Sequence, residues 1–179
     1  MKKTILAVLL VSNFCIAAED DKQAIDPFDI SANSIKVKEL GVVTKPEVDK
    51  LEGTAKELFT ANNCKDALPI LEQYAKKSNF LANLISANLD PYYGASYDKK
   101  KTYSYEKLKP LIPLETLAND YKQKRNRAIA MQGECLLKLG EKAEAIPVLL
   151  KALDLLDLND DEWWKRTRTN LLSAIEVKV

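Results

Sequence analysis

The 179-residue chain has no histidine at all and only five glycines. Without imidazole there is no Ser-His-Asp or Cys-His catalysis and no zinc site with a histidine ligand. Carboxylates or a lone lysine remain as reactive groups, and nothing in the sequence sets any of them apart. Few glycines among many Leu, Ala, Lys and Glu argue against a turn-rich β fold and for helices. No CxxC pair exists, so a thioredoxin-like activity has no basis. Beyond the first residues, no run is long and apolar enough to cross a bilayer, which takes roughly 20 residues. Neither charge sign dominates: the formal net charge is +1. No strong global field therefore points to nucleic acid.

What is present begins with Met1, Lys2 and Lys3, then an apolar run from Ile5 to Val11 and small residues at Ala17 and Ala18. This is the physical pattern of a secretory signal, a positive end followed by a short apolar stretch. Residues 1–18 are expected to be a cleaved signal peptide, with the cut after Ala17 or Ala18 and the acidic Glu19, Asp20 and Asp21 following. The competing reading lipidates Cys15, but Asn13 and Phe14 stand where small residues are wanted. The expected address is periplasmic or secreted.

Removal of 18 residues leaves 161, enough for one buried core. Cys64 and Cys135 then remain as an even pair. In an oxidising compartment they allow one disulfide; otherwise they are two buried apolar cysteines in helices.

Residues 19–46, interrupted by Pro27, Gly41 and Pro46, read as an extended, flexible lead-in. Ile35, Val37, Val42 and Val43 either form a short strand there or pack across helices. Helical spacing sets in at Glu47, with Leu51, Ala55, Leu58 and Phe59 on one face. After Asn62 and Asn63 the period resumes from Lys65 to Asn83. An irregular segment follows over 91–113, with Pro91, Pro110 and Pro113 and one short helix near Tyr105–Lys109. A long helix runs from Leu114 to Gly140, another from Lys142 to Leu158. Asn159, Asp160, Asp161 and Glu162 open a last helix with the stripe Trp164, Thr167 or Arg168, Leu171 and Ile175.

The run Ala67-Leu68-Pro69-Ile70-Leu71 matches Ala145-Ile146-Pro147-Val148-Leu149 in type at every position, 78 residues on. At the same offset Leu51 pairs with Ile129, Ala55 with Gly133, Leu58 with Leu136 and Asp66 with Glu144. Proline suits both runs if it lies in the first turn of a helix. These residues resemble the tetratricopeptide repeat (TPR) family, which stacks helix pairs on a 34-residue period. Over 126–159 Gly133 takes the close-contact glycine and Leu136 the large residue after it. Gly140 falls at the turn, Ala145, Leu149 and Ala152 follow in the second helix, and Trp163 takes the next unit's tryptophan. Asp157 stands where the family's closing proline would be. Residues 48–81 fit less well, with Ala55 for glycine and Tyr74 for a small residue. The resemblance covers about two units and a trailing helix, with 82–125 replacing a regular middle unit.

The expectation is an all-α protein: stacked antiparallel helix pairs over 47–179, carrying a Tyr/Pro-containing insertion. The resemblance implies binding of a protein or peptide partner, which the signal-like start would place in the cell envelope, and no cofactor and no metal are expected. Candidate contacts are Tyr92, Tyr93, Tyr97 and Tyr103 in the insertion, and the basic cluster Lys122, Lys124, Arg125 and Arg127. The alternatives are that the rings fasten the insertion and that the charges are solvated faces. Two further functions stay open. One is a self-associating structural subunit, a homo-oligomer joined through Trp163–Val179. The other, ranked last, is an enzyme using Asp90 or Asp98 near the tyrosines.

Overall fold

A computed structural model describes residues 31–158 and 160–177, so the signal-peptide reading lies outside the described residues. Among these residues there are helices and turns and no strand. The lead-in is the first correction. Ser31–Leu40 forms α1, ended by Gly41 at φ 74°, and Ile35, Val37 and Val42 are all exposed. Only Val43 of the four valine and isoleucine candidates enters the core.

Pro46 opens α2 (Lys45–Thr60), where its missing N–H is one that the first turn leaves unpaired anyway. The helix stops at Asn62, which adopts φ 58° while the Asn63 N–H donates to the Leu58 carbonyl at 2.9 Å. Asparagine tolerates this left-handed cap better than other non-glycine residues. The next helix, α3, runs Cys64–Ala87, four residues beyond the expected end. Short elements follow: α4 (Tyr97–Lys101), which the spacing missed, α5 (Tyr105–Leu108) and a 3-10 turn at Lys109–Leu111. Then α6 (Ile112–Lys138) leads through Gly140 into α7 (Lys142–Leu155), and α8 spans Asp161–Ala174. The insertion is therefore 88–111, since 82–87 belong to α3 and 112–125 to α6.

The side-chain pairings give the topology. Cys64 meets Cys135, Leu71 meets Gln132, and Asn79 meets Arg125, so α3 and α6 are antiparallel. Gly133 against Leu149 and Asn126 against Leu155 make α6 and α7 antiparallel too. In contrast, Asp49 meets Tyr121 and Glu52 meets Lys124, so α2 runs parallel to α6. Likewise Arg127 meets Asp160 and Glu134 meets Arg166, so α8 is parallel to α6. The helices lie in two rows, α2, α6 and α8 in one and α3 and α7 in the other.

The long α6 touches all its neighbours because successive residues on a helix point about 100° apart. Gly133 faces α7, Glu134 faces α8 and Cys135 faces α3. A Cβ on Gly133 would sit 2.6 Å from Leu149 Cδ2, so only glycine permits this approach.

The internal match extends to the backbone. At the 78-residue offset from Asn62, Gly140 takes φ 83° and the Glu141 N–H donates to the Leu136 carbonyl at 2.9 Å, the same cap as at the end of α2. Pro69 and Pro147 also correspond, but each lies inside its helix, not in the first turn. Each therefore removes one helical hydrogen bond. The stripe of α8 is also corrected: Thr167 and Ala174 are buried, whereas Ile175 is 49% exposed.

Candidate functional site: the cleft between α2, α6 and α8

The three parallel helices leave a cleft of about 290 Å³ between them. Phe59, Met131 and Trp163 form its apolar floor, and Lys56 and Thr60 stand at its exposed rim. The Phe59 and Trp163 rings lie 6.3 Å apart, tilted at 46°. The Arg166 guanidinium sits over both, 5.2 Å from Phe59 and 5.3 Å from Trp163. Such cation–ring contacts hold the guanidinium in place, and with Nε and Nη2 taken by Glu134, Nη1 remains to meet a ligand.

Glu134 fixes Arg166 from below. Its carboxylate accepts from Arg166 Nε at 2.6 Å and Nη2 at 2.7 Å, from Asn170 at 3.1 Å, and pairs with Lys138 at 3.0 Å. Burial opposes the charge on Glu134, but Arg166 and Lys138 outweigh it and hold the carboxyl below its usual range. A glutamate between Gly133 and Cys135, in an apolar stretch, was the sequence signal available for this feature.

At the other end, Lys124 pairs with Asp49 at 3.2 Å, Glu52 at 3.0 Å and Asp120 at 3.5 Å, and lies 4.7 Å from the Tyr121 ring. Burial works against the lysine's charge, and the facing Glu52 and Asp49 raise its pKa regardless. Asp49, hydrogen-bonded by Lys45 and then by Tyr121 and Lys124, is lowered to about 2. Burial, then Asp49, pushes the Tyr121 hydroxyl up to about 12. Tyr74, 1% exposed and close to Glu52, is also raised, chiefly by burial.

These shifts carry a sign. Asp49 and Glu134 are depressed in the fold, so they stabilise it above their unfolded pKa values, and the contribution is lost as pH falls through the folded ones. The urea midpoint should therefore drop as pH is lowered from about 5 to about 2.5, and Asp49→Asn should flatten that slope. An unchanged slope in that variant would show that the Asp49 pairs add nothing.

The basic cluster expected at 122–127 is not one surface. Lys124 and Arg127 face the cleft, each engaged by acids, with Arg127 Nε 2.7 Å from Asp160. Arg125 points to a different groove between α3 and α7, and Lys122 lies 3.5 Å from Asn119. A common patch is excluded by helix geometry, since adjacent residues cannot share a face.

The tyrosines form a third location. Tyr92 packs edge-on against Tyr93 at 6.3 Å and Tyr103 at 5.6 Å, with Lys100 over the first two. The Tyr93 hydroxyl donates to Glu115 Oε1 at 2.8 Å, which ties the insertion to α6. Tyr97 stays 73% exposed with Lys101 4.1 Å from its ring. Asp90 accepts from the Gly94 N–H at 3.0 Å, and Asp98 lies 3.9 Å from Lys101. No group of three or more metal-ligating side chains occurs among the described residues. No described helix is long and apolar enough to cross a membrane.

Comparison with protein-family models, curated proteins and solved structures returned no match.

Proposed function

We propose that this protein is an exported, TPR-like scaffold that binds a protein or peptide partner in the cleft between α2, α6 and α8. The observation that carries the reading is the row of three parallel helices whose open face gathers Phe59, Trp163 and the ring-stacked Arg166. Aromatic and arginine side chains that a partner can cover are the residues that dominate binding energy at interfaces. The 78-residue correspondence, extending to the Asn62 and Gly140 caps, supports a helix-pair repeat. The Cys64–Cys135 bridge suits an oxidising compartment, in line with the signal-like start of the sequence. The function is binding, with no chemistry assigned to the cleft.

The test is in-cell photo-crosslinking, with a benzophenone amino acid placed at Lys56 or Thr60 on the rim and at Glu144 on α7 as control. One abundant envelope protein should be captured from the rim positions and not from Glu144. Equal capture from all three positions would remove the cleft as the site. Capture of the chain alone would favour self-association, for which Leu150, Leu158, Ile175 and Val177 offer exposed apolar surface near the end of the array.

A further inference from the structure

On the other side of α6, a groove of about 540 Å³ opens between α3 and α7, sharing no lining residue with the cleft. Ala75, Ile129 and Leu155 make its walls apolar. Arg125 stands within it, oriented by two neutral oxygens. Its Nε donates to Asn126 Oδ1 at 2.9 Å and its Nη1 to Asn79 Oδ1 at 2.6 Å. Asn126 is itself held, donating at 2.6 Å to the Leu155 carbonyl in the last turn of α7.

This arginine differs from its neighbours in having no counter-charge. Arg127 is paired with Asp160, Arg166 with Glu134, and Lys124 with three carboxylates. Among the described residues no carboxylate pairs with Arg125, and burial alone moves its pKa, downward. A half-buried cation without an anion is unfavourable, and a guanidinium has five N–H donors, of which two are engaged here. The remaining donors suit a carboxylate, the anion whose geometry matches the guanidinium fork.

The rest of the groove completes a peptide-like complement. Glu72 also lines the groove but is paired with Lys76 at 2.8 Å, and Lys151, exposed at the rim and without an ion-pair partner among the described residues, leaves the lining positive on balance. Gln132 spends its Nε2 on the Leu71 carbonyl at 3.1 Å, which leaves its side-chain oxygen to accept from a ligand N–H. Lys76 and Asn79 also line the hollow between α1 and α3, so the surface runs on past the groove. A surface that continues at its end fits a chain passing through, and not a blunt terminus.

We propose that the α3–α7 groove binds an extended acidic peptide segment, with an Asp or Glu side chain paired to Arg125 and an adjacent apolar side chain resting on Ile129 and Leu155. Charge complementarity selects the acid, and the apolar walls select its neighbour. The surface is separate from the cleft, so the crosslinking at Lys56 and Thr60 neither tests it nor depends on it.

The experiment is fluorescence anisotropy with the intact oxidised protein and a short fluorescein-labelled, C-terminally amidated peptide of alternating leucine and glutamate. Binding should be saturable, should weaken with salt, and should fall about tenfold or more both for Arg125→Gln and for the peptide with glutamine in place of glutamate. Arg125→Lys should recover part of the loss, because the charge remains without the fork. Thermal melting checks that the variants are folded. Should Arg125→Gln disturb the fold, the wild-type protein still decides: the Arg125 Nε–H resonance should shift as the peptide is added. No shift, binding equal for the glutamine peptide, or binding only by peptides with a free C-terminus would each overturn the proposal.

Discussion

Opening the Cys64–Cys135 bridge is expected to lower stability by about 4 kcal/mol. The two Cα atoms are 5.0 Å apart and the residues are separated by 71 positions. In the chain-entropy account, a loop of that length removes many conformations from the unfolded chain. The loop contains α3, the whole 88–111 insertion and most of α6, and the bridge joins the start of α3 to the end of α6. Both cysteines are buried, at 4% and 0% exposure, so alanine is the replacement that adds no unpaired polar group. Urea unfolding of the oxidised protein against the Cys64→Ala/Cys135→Ala pair should show the lower midpoint. An ordinary domain has about 5–15 kcal/mol in total, so the loss is a large share of it. A difference under about 1 kcal/mol would mean that helix packing alone confines the chain and that the entropic account fails here.

Gly133→Ala should destabilise the protein even though alanine is the better helix former by about 1 kcal/mol. The new methyl would lie 2.6 Å from Cδ2 and 2.7 Å from Cγ of Leu149, and 3.4 Å from its backbone nitrogen. Leu149 is 0% exposed, so its side chain has no free space to swing into. Overpacking of this kind costs about 1–3 kcal/mol, which leaves a net loss of up to about 2 after the propensity gain. Leu149→Ala alone should cost about 2–5 kcal/mol by leaving a cavity. The double variant should be more stable than the sum of the two, because each change relieves the other. Additive effects, or a stabilising Gly133→Ala, would show that α6 and α7 do not approach as closely as described.

Scarce glycine, many good helix formers and 3.6-residue periodicity were enough to determine the helical character of the described residues, because helix formation depends on spacing along a single segment. The caps were equally local: Gly140 and Asn62 could be placed from their residue types. The correspondence between 67–71 and 145–149 was likewise visible, since it needs no knowledge of what packs where. Three things were not decided at that level. The helices α2, α6 and α8 lie parallel in one row, an arrangement that no single helix encodes because it arises from long-range packing. The Lys122–Arg127 run looked like one basic patch, yet α6 turns it onto several faces, so Arg127 meets Asp160 and Arg125 meets only amides. The cysteine pair was open between a bridge and two buried thiols until α3 and α6 were seen to run antiparallel. That direction brings position 64 beside 135, and only the tertiary fold sets it.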